Sequence, residues 1–146
     1  SGEVRGMVWD EVDLSARLWV IPAERMKAGR EHRIPLSDAA VALLRQQEQV
    51  LLAGVNLVFP SVRDHKPLSD MTLTAVLRRM QRNDLTVHGF RSTFRDWAAE
   101  ATDYPQEMAE MALAHVVSNK VEAAYRRGDM LEKRREMMQK WAEFIL

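Results

Sequence analysis

Leu18-Trp19-Val20-Ile21-Pro22, followed ten residues on by His32-Arg33-Ile34-Pro35-Leu36, is the stretch on which the fold turns. The first run is β-branched and aromatic and stops at a proline, which suits a strand that ends there. The second run is again extended in character. Between them, residues 23–31 are polar and contain Gly29, so a hairpin connection with a long tip is expected. Leu57-Val58-Phe59, just before Pro60, reads as a third short strand. Upstream, residues 2–9 are short and apolar-periodic, like the end of a helix entered partway along.

The rest of the chain has helical periodicity. Ser37 suits the N-cap of a helix running to about residue 52 and ended by Gly54. Ser69 is placed to cap another, in which Leu73, Val76, Leu77 and Met80 follow the spacing of a buried stripe. Phe90, Phe94, Trp97 and Ala101 repeat that spacing over residues 87–101. Pro105 fits the first turn of a helix through Leu113. Asn119 with Glu122 resembles a capping box for a short helix that carries Tyr125 and closes at Gly128. The last helix spans about 130–146, with Leu131, Arg134 or Arg135, Met138, Trp141 and Ile145 inward. These last side chains pack within the chain or against a neighbouring subunit. The sum is one α+β domain, mainly α: bundle-like helices with a small three-stranded antiparallel sheet near the N-terminus.

Composition narrows the function classes. The 146 residues are enough for one domain with a core of its own. No apolar run approaches the roughly 18 residues of a membrane span, and the start lacks the pattern of a signal peptide. With no cysteine, disulfides and thiolate metal sites are excluded, and a reducing cytoplasm is compatible. The 21 basic and 21 acidic residues cancel, so net charge gives no argument for nucleic acid. Distribution is more suggestive. Basic residues gather at Arg25, Lys27, Arg30 and Arg33, at Arg78, Arg79 and Arg82, and at Arg126, Arg127, Lys133, Arg134 and Arg135.

Four polar features stand out, each ordinary when taken alone. His88-Gly89-Phe90-Arg91 opens a helix, where positions three apart share a face, so His88 and Arg91 project together while Phe90 and Phe94 turn to the core. Gly89 costs a helix about 1 kcal/mol against alanine, so something is expected to approach its backbone closely. Leu113-Ala114-His115 follows, and ten positions later comes Tyr125 in Ala123-Ala124-Tyr125-Arg126-Arg127. Lys27 sits at the expected hairpin tip.

In order and separation, these blocks resemble the tyrosine recombinase (phage integrase) family, in its prophage integrase branch. The resemblance covers nearly the whole chain. It runs through Glu3-Val4-Arg5-Gly6, Trp9-Asp10-Glu11-Val12-Asp13-Leu14, Ile21-Pro22-Ala23-Glu24-Arg25-Met26-Lys27 and His32-Arg33-Ile34-Pro35-Leu36-Ser37. It continues through Val58-Phe59-Pro60-Ser61, His88-Gly89-Phe90-Arg91, Leu113-Ala114-His115, Asn119-Lys120-Val121 with Ala124-Tyr125, and Arg134-Arg135-Glu136-Met137-Met138-Gln139 before Trp141. It implies a catalytic domain in which Lys27, His88, Arg91, His115 and the nucleophile Tyr125 match five of the family's six active-site residues. The sixth, an arginine three residues before the position of Glu3, would fall just before Ser1. Arg5 has the wrong spacing to replace it. The domain is therefore expected to be cut at its N-terminus and to perform little strand exchange alone.

The resemblance also implies double-stranded DNA attachment sites as partners, a homo-oligomer (a tetramer) on DNA, accessory DNA-bending proteins, no membrane, no cofactor, and a bacterial cytoplasmic, nucleoid-associated location. The residue types suit the chemistry. Charge builds on non-bridging phosphate oxygens, which arginine meets with a planar fork of donors. A histidine handles protons near neutral pH, and a lysine can protonate the departing 5′ oxygen. A tyrosine, with an ordinary pKa of about 10, needs neighbouring cations and a base to become a nucleophile. A 3′-phosphotyrosyl link conserves the bond energy, so rejoining needs neither ATP nor metal, in keeping with a sequence that has no metal-ligand spacing or phosphate-binding glycine loop. The alternatives are a non-catalytic DNA-binding or assembly remnant of a recombinase, a related type IB topoisomerase, and a plain helical interaction domain.

Overall fold

The computed structural model describes residues 2–50, 53–115 and 128–146. The expected hairpin is present. β2 (Leu18–Ile21) pairs antiparallel with β3 (His32–Pro35), with Leu18 opposite Pro35 and Ile21 opposite His32. β1 (Val12–Asp13) completes the sheet on the other side of β2, with Val12 opposite Trp19, so the strand order is β1-β2-β3. The turn between β1 and β2 closes on Asp13, whose Oδ1 accepts from the Ser15 hydroxyl at 2.7 Å and from Ala16 N–H at 2.8 Å. Alternation along β2 sends Trp19 and Ile21 inward, and Ile21 is fully buried.

The helices are α1 (Gly2–Arg5), α2 (Asp38–Glu48), α3 (Thr72–Arg79), α4 (Gly89–Glu100), α5 (Gln106–Ala112) and α6 (Leu131–Ile145). Two apolar clusters form the core. Met7, Trp19, Ile21, Leu36, Val41, Leu44 and Val58 join the sheet to α2. Phe94, Trp97, Ala98, Met108, Ala109 and Met137 join α4, α5 and α6. Trp141 meets Phe94 edge-on at 5.3 Å and Trp97 at 5.1 Å between ring centroids, a geometry that adds about 0.5–1.5 kcal/mol per pair beyond burial. α6 links the two halves, because it packs on β3 as well as on α4 and α5.

Ser37 caps α2 as expected, its Oγ accepting from Ala40 N–H at 3.3 Å, while Pro105, expected in the first turn of α5, stands one position earlier, just before Gln106. Other expectations need correction. Leu57-Val58-Phe59 is not a strand: Leu57 makes an isolated bridge to Val8, and the run is apolar because Val58 is core. The third strand is Val12–Asp13 instead. Ser69 does not cap α3; the cap position is Met71, and Ser69 Oγ lies 3.1 Å from Thr72 Oγ1. The α3 stripe is not a buried one, since no residue of α3 is buried and Met80 is 64% exposed. Phe90 is half exposed rather than core, because the first turn of α4 opens onto a groove lined by Val87, Phe94, Leu113, Met138 and Trp141. On α6, Arg134, Met137 and Ala142 are the buried residues, while Ile145 points out. The expected capping box at Asn119 and Glu122 lies outside the described residues.

Candidate active site

α4 is opened by a tight turn. Gly89 N–H donates to both the carbonyl and the Oγ1 of Thr86, each at 3.0 Å. A side chain at Gly89 would place its Cβ 3.1 Å from that hydroxyl, which identifies the group that approaches this backbone. His88, the residue before, is exposed, and no hydrogen bond holds its imidazole among the described residues. One turn along, the half-buried Arg91 reaches α5 through Nη2, which donates to the Leu113 carbonyl and lies 2.7 Å from His115 Nε2.

His115 is delivered by the way α5 ends. His115 N–H donates to the Glu110 carbonyl at 2.9 Å and Ala114 N–H to the Met111 carbonyl at 3.0 Å, with Ala114 in the left-handed region at φ 55°. This is a Schellman termination, which satisfies the last carbonyls of the helix and reverses the chain. The reversal lays the His115 ring over Glu110, whose Oε2 faces Nδ1, while Oε1 pairs with Arg95 Nε at 2.9 Å. Arg91 and Arg95 are four apart on α4, so one face of that helix supplies both guanidinium groups.

The hairpin is tied down at its base. Glu11 pairs with Arg25 and accepts from Trp19 Nε1 at 3.0 Å, and Arg25 Nη2 donates to the Glu3 carbonyl of α1 at 2.7 Å. Gly6 leaves room for this guanidinium, since a Cβ there would sit 2.8 Å from Arg25 Nη2. Lys27 lies two residues beyond, exposed, near the tip turn where Gly29 takes φ 61° and donates to the Met26 carbonyl. Among the described residues no hydrogen bond or ion pair joins Lys27 to Arg91 or His115. The Glu3 carboxyl is held below its ordinary value, first by its own backbone N–H, against the effect of burial.

The start of β3 holds the surroundings together. Burial, and next the Arg134 charge, push the His32 imidazole below its ordinary pKa, while a bond to the Ala112 carbonyl works the other way. Arg33 grips Asp129 with two hydrogen bonds, at 2.9 and 2.7 Å. Arg134, 1% exposed, donates to the Asp129 carbonyl at 2.7 Å, the Arg33 carbonyl at 2.8 Å and Asp129 Oδ2 at 2.9 Å. Burial disfavours the charged form of Asp129, but the two arginines outweigh it and the carboxyl sits below the usual carboxylate range.

Of the five residues expected from sequence, the structure joins Arg91 to His115, places His88 one turn before Arg91, and leaves Lys27 on the separate hairpin tip. Tyr125 lies outside the described residues. The other tyrosine, Tyr104, donates to Glu136 at 3.2 Å and stacks under Lys140. Sequence reasoning missed Glu110 and Arg95. The signal for Arg95 was its helical spacing from Arg91; Glu110 required recognising that α5 reverses at Ala114.

The model of the phage integrase family matches residues 1–132. The prophage integrase IntA of Escherichia coli K12 is 42% identical over 139 residues, which is 94% of this chain and 33% of that protein. The integrase of enterobacteria phage P4 is 35% identical over 162 aligned positions, covering 99% of this chain and 37% of the phage protein. The prophage integrase IntS of the same Escherichia coli strain is 33% identical over 145, covering 98% of the chain and 37% of its own length. The chain therefore spans little more than a third of the length of these relatives. No solved structure matches it. A family model covering most of the chain, together with relatives at this identity, establishes that the chain belongs to the phage integrase family.

Proposed function

We propose that this chain is the catalytic domain of a site-specific recombinase that cuts and rejoins double-stranded DNA at attachment sites, as the names of its relatives suggest for a prophage enzyme. The observation that carries the reading is the union of Arg91 with His115, 24 positions apart in sequence, at 2.7 Å. Two groups suited to phosphate oxygens and to proton handling meet there, beside an exposed His88. In the reading, Arg91 exchanges its present carbonyl partner for non-bridging phosphate oxygens, which bear growing charge as the reaction proceeds. The Tyr125 oxygen attacks phosphorus, giving up its proton to a histidine. The bond from phosphorus to the 5′ oxygen breaks, and Lys27 protonates that oxygen. The product is a 3′-phosphotyrosyl link, and attack by a 5′ hydroxyl reverses the step. The whole protein would act as a tetramer on DNA with accessory DNA-bending proteins, in the bacterial cytoplasm. No helix among the described residues is long and apolar enough to cross a membrane.

A nicked suicide DNA carrying the attachment site tests this reading. A protein of the relatives' full length should accumulate covalent complex, and Tyr125→Phe should abolish it while DNA binding persists. No complex from the longer protein would refute the catalytic reading.

A further inference from the structure

Glu110 meets His115 twice, through its backbone carbonyl, which accepts His115 N–H at 2.9 Å, and through Oε2, which faces His115 Nδ1. Its other oxygen, Oε1, is taken by Arg95 Nε at 2.9 Å. An ionised carboxylate only accepts, so the ring nitrogen that faces it carries the hydrogen. A neutral imidazole has one N–H, which leaves the lone pair on Nε2. That nitrogen lies 2.7 Å from Arg91 Nη2, and a guanidinium only donates. Both partners therefore select the same tautomer, with hydrogen on Nδ1. A neutral imidazole free in water favours the opposite one.

We infer that Glu110, itself steadied by Arg95, is a positioning residue for His115: it fixes the ring's hydrogen on Nδ1 and presents the Nε2 lone pair beside Arg91. What the lone pair does rests on the recombinase reading, in which a proton acceptor beside the phosphate-binding arginine serves the Tyr125 hydroxyl. The arrangement follows the logic by which a carboxylate orients an imidazole in acyl-transfer triads. The Glu110 and His115 side chains are 20% and 40% exposed, so water competes for both and the effect is set below that of a fully buried triad. Loss of the carboxylate should slow DNA cleavage about 10–100-fold, as for other carboxylates that orient an imidazole from behind.

Two measurements test this. The first is a long-range proton–nitrogen spectrum of the four histidine rings of the ¹⁵N-labelled chain at about pH 8, where ordinary imidazoles are neutral, with His115 assigned by its loss in His115→Gln. His115 should give a protonated-type Nδ1 and an unprotonated Nε2. In Glu110→Gln, which keeps the size of the side chain but has one amide oxygen for which Arg95 competes, the population should shift toward the Nε2–H form with only the Arg91 share of the preference left, while Glu100→Gln on exposed α4 surface should leave it intact. The second is suicide-substrate cleavage by a protein of the relatives' full length, where Glu110→Gln should be slowed and Glu100→Gln should not. An unchanged His115 tautomer in Glu110→Gln overturns the inference. So does a changed tautomer with unchanged cleavage, provided His115→Gln abolishes cleavage. If His115→Gln itself cleaves normally, the catalytic role given to His115 fails, and the spectrum alone decides whether Glu110 holds the ring.

Discussion

Replacing Asp129 by alanine should cost far more than the removal of a surface carboxylate, because it leaves a buried guanidinium without its counter-charge. The Arg134 side chain is 2% exposed, and Asp129 Oδ2 is the one ionised group among its described hydrogen-bond partners. Breaking a buried pair by removing one partner costs about 3–5 kcal/mol. Asp129 is itself 34% exposed, and Arg134 keeps its bonds to the Asp129 and Arg33 carbonyls, so the low end applies: about 3 kcal/mol. The simultaneous loss to Arg33, whose side chain is 40% exposed, adds at most about 1 kcal/mol. For a chain of this length the midpoint should drop by about 6–12 °C. Adding Arg134→Met removes the stranded charge. The double variant should therefore be more stable than the sum of the two single effects by at least about 1 kcal/mol. Thermal and urea unfolding followed by circular dichroism measures all three. Additivity within about 0.5 kcal/mol, or a cost below about 1 kcal/mol for Asp129→Ala, would refute the claim that Asp129 neutralises a buried Arg134.

The His32 imidazole, held below its ordinary value of 6.5 chiefly by burial, makes stability depend on pH in a defined direction. The folded state binds fewer protons than the unfolded chain, so this contribution is fully present above about pH 7 and is lost as pH falls toward the folded value. Urea unfolding at pH 7.5 and 5.5 should show a smaller difference in His32→Gln than in the parent; an equal difference would contradict it. Asp129, displaced below the carboxylate range, acts lower on the scale: its contribution is present above the ordinary value of 3.8 and lost as pH falls further. Asp129→Asn should flatten the acid side of the stability profile below about pH 4. Ala114→Gly should raise stability, against the usual sign of that exchange. Ala114 sits at φ 55°, where a side chain costs about 1–2 kcal/mol and glycine's extra unfolded-state freedom offsets up to about 1. A melting midpoint that falls in Ala114→Gly would sink the argument about the α5 terminus.

The hairpin was legible because Trp19, Val20 and Ile21 concentrate β-forming side chains before Pro22, the α2 start because Ser37 fits a cap position, and the α5 start to within one residue because Pro105 suits the beginning of a helix. β1 was not, since two residues carry no period and its pairing is decided by the Asp13 turn. Val58 misled for a related reason: burial, not pairing, is what its apolar neighbours serve. At α3, helical spacing alone said nothing of whether a partner element covers the stripe. The spacing of His88 and Arg91 gave their shared helix, but the meeting of Arg91 with His115 depends on the left-handed Ala114, a position that sequence usually marks with glycine. Arg134 drew attention as one of two inward candidates. Its burial followed only from three acceptors, the Asp129 and Arg33 carbonyls and the Asp129 carboxylate, that converge across 101 positions of sequence.

In the recombinase reading the chemistry turns on one oxygen atom, that of Tyr125. The chain has two tyrosines, and Tyr104 is occupied with Glu136 and Lys140. The most direct measurement is mass spectrometry of peptides from the complex trapped on suicide DNA by a protein of the relatives' full length. A nucleotide 3′-phosphate is expected on the peptide that contains Tyr125, with the Tyr104 peptide unmodified. A nucleotide on Tyr104, or a DNA-linked protein with an unmodified Tyr125, would contradict the reading.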